Sequence, residues 1–98
     1  MKYEFSSELR LWPGHQNLHF VTLPPEIYEE IREVSASLRR GFGAVRVDVQ
    51  VGETQWRTSV FPMVGDKVYM MLIKMSVRKQ ESLGVGSVAT FQIELVDF

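Results

Sequence analysis

The stretch that decides the fold is Leu18-His19-Phe20-Val21-Thr22-Leu23-Pro24-Pro25-Glu26-Ile27-Tyr28-Glu29-Glu30-Ile31, closing after a glycine corner on Ala44-Val45-Arg46-Val47-Asp48-Val49. Residues 18–23 read as a strand and Pro24-Pro25 as its stop. Pro25 is a good first helical residue, because its missing N–H would have no partner there. Ile27, Ile31, Val34 and Leu38 then fall on one helical face at spacings of four, three and four. Glu26, Glu29 and Glu30 favour the positive end of the helix dipole, and Arg39 and Arg40 the other end. Gly41-Phe42-Gly43 closes the helix. Val45, Val47, Val49 and Val51 then alternate with Arg46, Asp48 and Gln50, the clearest strand in the chain.

Upstream, Tyr3, Phe5, Leu9 and Leu11 alternate with Lys2, Glu4, Glu8 and Arg10, which predicts a half-buried strand. Trp12-Pro13-Gly14 ends it. Downstream, Gly52-Glu53 predicts a hairpin into a strand over 54–61, with Trp56, Thr58 and Val60 on one face. Pro62, Gly65 and Asp66 mark a loop. Residues 68–73 form an almost continuous apolar run, expected of a strand buried on both sides. A short helix follows at about 75–83, ended by Gly84. The last strand begins at Val88, with Ala89, Phe91, Ile93 and Leu95 on one face.

The second half thus repeats the order of the first without its residues. Shifted by fifty, Leu18 meets Val68, Phe20 meets Met70, Leu23 meets Ile73 and Ile27 meets Val77. Each half reads strand–strand–helix–strand. The expected fold is mainly β with two short helices: a six-stranded pseudo-barrel with an internal pseudo-two-fold repeat. Such closure leaves few open sheet edges. The competing reading is an ordinary α+β domain whose element order repeats by coincidence.

The 98 residues suit a single domain spanning 1–98. Forty-five per cent are hydrophobic, enough for one core without staples. There is no cysteine, which excludes disulfides and thiolate metal sites and suits a reducing cytoplasm. The formal net charge is -1, without the basic excess of a dedicated nucleic-acid binder. No apolar run reaches the ~20 residues of a membrane span. The start, with Glu4 and Glu8 in an alternating pattern, is not that of a signal peptide. The expectation is a cytoplasmic protein with no membrane partner.

Several segments together resemble a bacterial domain-of-unknown-function family, number nineteen-oh-five. They are Leu9-Arg10-Leu11-Trp12, His19-Phe20-Val21-Thr22-Leu23-Pro24 and Arg40-Gly41-Phe42-Gly43-Ala44-Val45-Arg46-Val47, followed by Trp56-Arg57-Thr58-Ser59-Val60-Phe61-Pro62 and Ser76-Val77-Arg78-Lys79. The resemblance spans nearly the whole chain. It implies a double-split β-barrel, the fold of the AbrB/MazE regulators and antitoxins, where two chains supply the halves that one chain would supply here. The family commonly has Gly-Asp before the last strand; this chain has Gly86-Ser87. The resemblance implies no catalytic residue.

His15 and His19 stand four apart, a metal spacing on a helix, but here they fall on a loop and a strand, with no carboxylate nearby in sequence. No metal or cofactor is expected. Ser59 and Ser76 lie in no glycine-rich elbow, and Gly41-x-Gly43 and Gly84-x-Gly86 lack the companions of a phosphate loop. No catalytic residue is assigned. Met70, Met71 and Met75 either line an adaptable groove or fill core.

The cations Arg40, Arg46, Arg57, Lys74 and Arg78 are the candidate binding residues, for an anionic ligand or nucleic acid. The bland alternative is a solvated surface in which Asp48 and Glu53 balance Arg46 and Arg57. Two function classes remain. One is a non-enzymatic binding or accessory module with a protein or small-molecule partner, acting as a monomer or weak homodimer. The other is an AbrB-like nucleic-acid-binding regulator. The first is favoured, because the charge is slightly negative and one chain would complete the barrel.

Overall fold

Val45, Val47, Val49 and Val51 are 6%, 0%, 2% and 4% exposed, and the sheet is built outward from them. They lie on β4 (Val45–Val51), which pairs antiparallel with β5 (Thr54–Met63) on one side and β7 (Val88–Leu95) on the other. The computed structural model describes residues 1–36, 43–63 and 65–97. The other elements are β1 (Lys2–Glu8), β2 (Arg10–Leu11), β3 (His19–Thr22), α1 (Pro25–Ser35), β6 (Val68–Leu72) and α2 (Met75–Gln80). All strands join one sheet, in the order β1-β7-β4-β5-β6-β3-β2.

Among the described residues the result is a mainly β molecule with two helices, a curled antiparallel sheet of seven strands. The expected count was six, and the difference lies in the first strand. Leu9 interrupts it: its N–H donates to Ser87 O at 2.8 Å, and its carbonyl accepts from Gly86 N at 2.9 Å. Those backbone groups serve the turn before β7 instead of a ladder, so β1 and β2 are separate segments. They pair at opposite ends of the sheet order, β1 with β7 and β2 with β3. Residues 2–11 therefore touch both ends, and the 2% exposed Leu9 side chain sits at the junction.

The pairings respect the internal repeat. Exchanging the halves maps β3 onto β6 and β4 onto β7, and each of these pairs is hydrogen-bonded antiparallel, around Val21↔Met71 and Val49↔Ile93. The same exchange maps the β1–β7 pairing onto β5–β4.

The core follows the alternation. Phe5 and Phe91 are register partners and stack at 5.6 Å. From α1, Ile27, Tyr28 and Ile31 are buried, and the Tyr28 ring meets Tyr69 at 5.2 Å. Burying side chains of this size contributes about 1.5–3 kcal/mol each. Burial pushes the Tyr69 hydroxyl pKa up, opposed by the Ser35 hydrogen bond and the Arg32 charge. Residues 68–73 are buried on both sides as expected: Tyr69, Met71 and Ile73 enter the core, while Met70 lies on the other face with Phe20. Trp12 meets the Phe20 ring edge-on at 5.0 Å, and the Arg10 guanidinium lies 5.9 Å from its centroid.

Three expectations shift, and a fourth lies outside the described residues. Leu11, placed on the apolar face, is 41% exposed, because β2 is only two residues long at the end of the sheet. Pro62 belongs to β5 and not to a loop. β4 pairs no further along β5 than Val60, so the missing Pro62 N–H deprives no neighbour on that side. The last turn expected of the first helix, with Leu38, Arg39 and Arg40, lies outside the described residues.

The third shift concerns α2, which stops at Gln80 and not near Leu83. Its terminus is a Schellman arrangement: Leu83 N donates to Arg78 O at 2.8 Å, and Ser82 N to Lys79 O at 3.4 Å. The left-handed position falls on Ser82, with φ 54°, and not on Gly84. At the C-cap itself, Glu81 accepts from the Thr54 hydroxyl at 2.6 Å and covers the hairpin glycine Gly52, tying the β4–β5 turn to α2.

A serine at that left-handed position costs about 1–2 kcal/mol that glycine avoids. Ser82→Gly is expected to raise stability by about 1 kcal/mol, after glycine's extra chain entropy in the unfolded state is subtracted. Urea unfolding should show a higher midpoint with an unchanged slope. A lower midpoint would contradict the cap assignment.

Candidate functional site

Strands β1, β7, β4 and β5 lie side by side, and their register aligns the outward residues into two rows. One row runs Lys2, Glu94, Asp48, Arg57; the next runs Glu4, Gln92, Gln50, Gln55. Between them Tyr3, Ile93, Val49 and Trp56 turn inward, and all four contact the core. This follows from a side-chain period of two. An open groove of about 880 Å³ follows this band across the four strands. It lies over the Val49↔Ile93 pair, about which the two halves exchange.

The rows are cross-linked by their own hydrogen bonds. Arg57 donates to both Asp48 oxygens, at 2.8 and 3.2 Å. Gln92 donates to Glu4 at 3.1 Å, Gln55 to Gln50 at 3.2 Å, and Gln50 to the Gly52 carbonyl at 3.1 Å. The Arg57 hydrogen bonds hold the Asp48 carboxyl below its usual range, against a smaller opposing effect of desolvation, and the same pairing raises Arg57. Under the floor, the Tyr3 hydroxyl is buried without a hydrogen-bond partner among the described residues. Desolvation, then the Glu30 charge, raises its pKa.

The residues singled out from sequence do not gather in one place. Arg46 shares the outward face with Arg57 but sits diagonal to it, opposite Ser59, and pairs with Asp97 at 2.9 Å. Lys74 precedes α2 at its N-cap. Arg78, on α2, donates through Nε to the Ile73 carbonyl at 3.1 Å and lies 3.5 Å from His19 Nε2 through Nη1. Arg40 lies outside the described residues. His19 Nδ1 lies 3.3 Å from the Asn17 carbonyl, and no three metal-type ligands cluster among the described residues. Of the methionines, Met71 fills core, Met70 is buried on the outer face, and Met75 is 54% exposed.

The glutamines of the groove were not singled out in the sequence. Gln50 and Gln92 are visible there as polar residues between apolar ones and Gln55 as one between Thr54 and Trp56, but only the register shows that the three stand in one row.

Fold and surface together define a small, mainly β protein that carries a polar, internally hydrogen-bonded groove. The chain belongs to the family described as Domain of unknown function (DUF1905), whose model matches residues 5–93. That family is uncharacterised. No curated protein matches the chain.

Because the folded-state pKa of Asp48 is depressed, its pairing stabilises the fold above the ordinary aspartate pKa. That contribution is lost as pH falls through the lowered value. An NMR titration of the Asp48 carboxyl carbon should give a midpoint below that of an ordinary aspartate. Arg57→Gln should move it up, and high salt should do so in part, since the pair is exposed. A midpoint unchanged by Arg57→Gln would show that the hydrogen bonds do not form in solution.

Proposed function

We propose that this chain is a non-enzymatic binding module whose ligand face is the groove across β1, β7, β4 and β5. The observation that carries the reading is the groove itself: eight outward polar side chains in two aligned rows, over a floor held by the core. Arg57 belongs to the groove, and Arg46 lies diagonal to it on the same outward face. Their role is to fix the neighbouring carboxylates of Asp48 and Asp97 while keeping guanidinium edges toward solvent. The partner is a small molecule or a chain presented by another molecule, and the module acts as a monomer or weak homodimer.

The chain closes as a six-stranded double-split barrel when residues 2–11 are counted as one strand bent at Leu9. The exchange of halves in the pairing supports this, as does the contact of that segment with both ends of the sheet. Such a barrel is related to AbrB-like regulators, but the ion pairs of Arg46 and Arg57 offset the positive charge these two residues bring to the face. Nucleic-acid affinity comes mainly from cations that neutralise phosphates.

Retention on heparin and on duplex DNA at low salt tests the choice. Weak retention, unchanged by Arg46→Gln with Arg57→Gln, is expected. Tight retention that falls steeply with salt and disappears in the double variant would overturn the reading and favour the regulator.

A further inference from the structure

The groove's charge selects against charged chains. Its rows hold two cations, Lys2 and Arg57, against three carboxylates, Glu4, Asp48 and Glu94. Arg57 is spent on Asp48 and a Gln92 N–H on Glu4. A polyanion meets more carboxylates than cations, so the site offers it no net attraction. A polycation gains at most from the single net negative charge of the rows, since Lys2 stands opposite Glu94 and Arg57 holds Asp48.

The hydrogen-bonding groups left over are of both senses. Each glutamine carries a carbonyl acceptor and two N–H donors, the Lys2 ammonium carries three donors, and the Glu94 carboxylate is acceptor only. No outward residue of the two rows is apolar, so an apolar ligand would strip water from these groups and return nothing. A hydroxyl donates and accepts at once, and adjacent hydroxyls present two oxygens side by side to a planar amide or carboxylate. The mixed walls match that pattern.

The shape selects a chain. Four strands at about 4.8 Å spacing give a run of about 14 Å, with rows about 7 Å apart. That is a trough one ring wide and open at both ends. A peptide gains less here, because the backbone groups facing along the sheet are already paired between β7, β4 and β5 and cannot take another strand.

We infer that the groove binds a neutral polyhydroxylated chain, an oligosaccharide laid across β1, β7, β4 and β5, with the row of Gln92, Gln50 and Gln55 as its main hydrogen-bonding wall. This inference rests on the binding-module reading of the same groove. The side-chain amide signals of the three glutamines report on it directly in 1H–15N spectra. The full chain is titrated separately with maltohexaose, cellohexaose and chitohexaose, then with hexalysine and hexaglutamate. At least one neutral hexasaccharide should move the three amide signals saturably. Gln92→Ala should weaken that binding about tenfold, the loss of roughly one hydrogen bond, at unchanged thermal midpoint. Glu26→Gln on α1, away from the groove, should leave it unchanged. If no neutral hexasaccharide moves the groove signals, the ligand class is overturned. Movement by hexalysine or hexaglutamate alone would then keep the binding module with a charged ligand, while silence with all five probes would remove that reading as well.

Discussion

The structure depends on the register of β4 against β7. Val49 faces Ile93, and every neighbouring pair follows from that alignment. Because side chains alternate, the register decides two surfaces at once. Inward, it stacks Val47, Val49 and Val51 against Leu95, Ile93 and Phe91, which are 0–4% exposed. Outward, it sets Asp48 beside Glu94 and Gln50 beside Gln92. A slip of one residue would exchange the faces, burying carboxylates and exposing valines. Core and groove are therefore two consequences of one constraint, and the apolar side enforces the polar one.

That coupling explains an otherwise unfavourable contact. Asp48 and Glu94 are like charges directly opposite on neighbouring strands, an arrangement that destabilises a sheet. The core fixes their positions, and Arg57 offsets the repulsion from the other side by taking both Asp48 oxygens. On the other half of the sheet the outward face is different in kind. Phe20 and Met70 are 6% and 7% exposed there, with Trp12 and Arg10 against the Phe20 ring. The two halves share topology but not surface chemistry, so the polar groove belongs to one side of the sheet alone.

Most of the fold was legible in the sequence, because its signals are local. The alternation of β4 and β7, the Pro24-Pro25 stop, the face of Ile27 and Ile31, and the Gly52 turn each act within a few residues. The burial of Val45, Val47, Val49, Phe91 and Ile93 followed from them. What escaped was set by contacts between distant segments. Leu9 splits the first strand because a turn near residue 86 captures its backbone, and no local signal announces that. The end of α2 at Gln80, with Ser82 as the left-handed residue after it, escaped because glycine is the usual left-handed residue and Gly84 stood two places on. The candidate site was less legible. Cations draw attention one at a time, whereas the groove is defined by residues from four strands that only pairing brings into rows. Asp48 and Glu53 were named as the relief for Arg46 and Arg57; geometry pairs Asp48 with Arg57, whereas Arg46 takes Asp97, fifty-one positions away.

The register of β4 against β7 is the claim on which all of this stands, and cross-strand NOEs measure it directly. Val96 N donates to Arg46 O at 3.0 Å, so the alternation of antiparallel pairs makes Val47↔Leu95 and Val49↔Ile93 the non-hydrogen-bonded ones. Their Cα atoms should lie about 4.5 Å apart, with the α-protons facing each other. The account predicts strong α-proton to α-proton cross-peaks for Val49 with Ile93 and for Val47 with Leu95. Strong peaks from Val49 to Phe91 or to Leu95 instead would mean a shifted ladder, and the rows that form the groove would not exist.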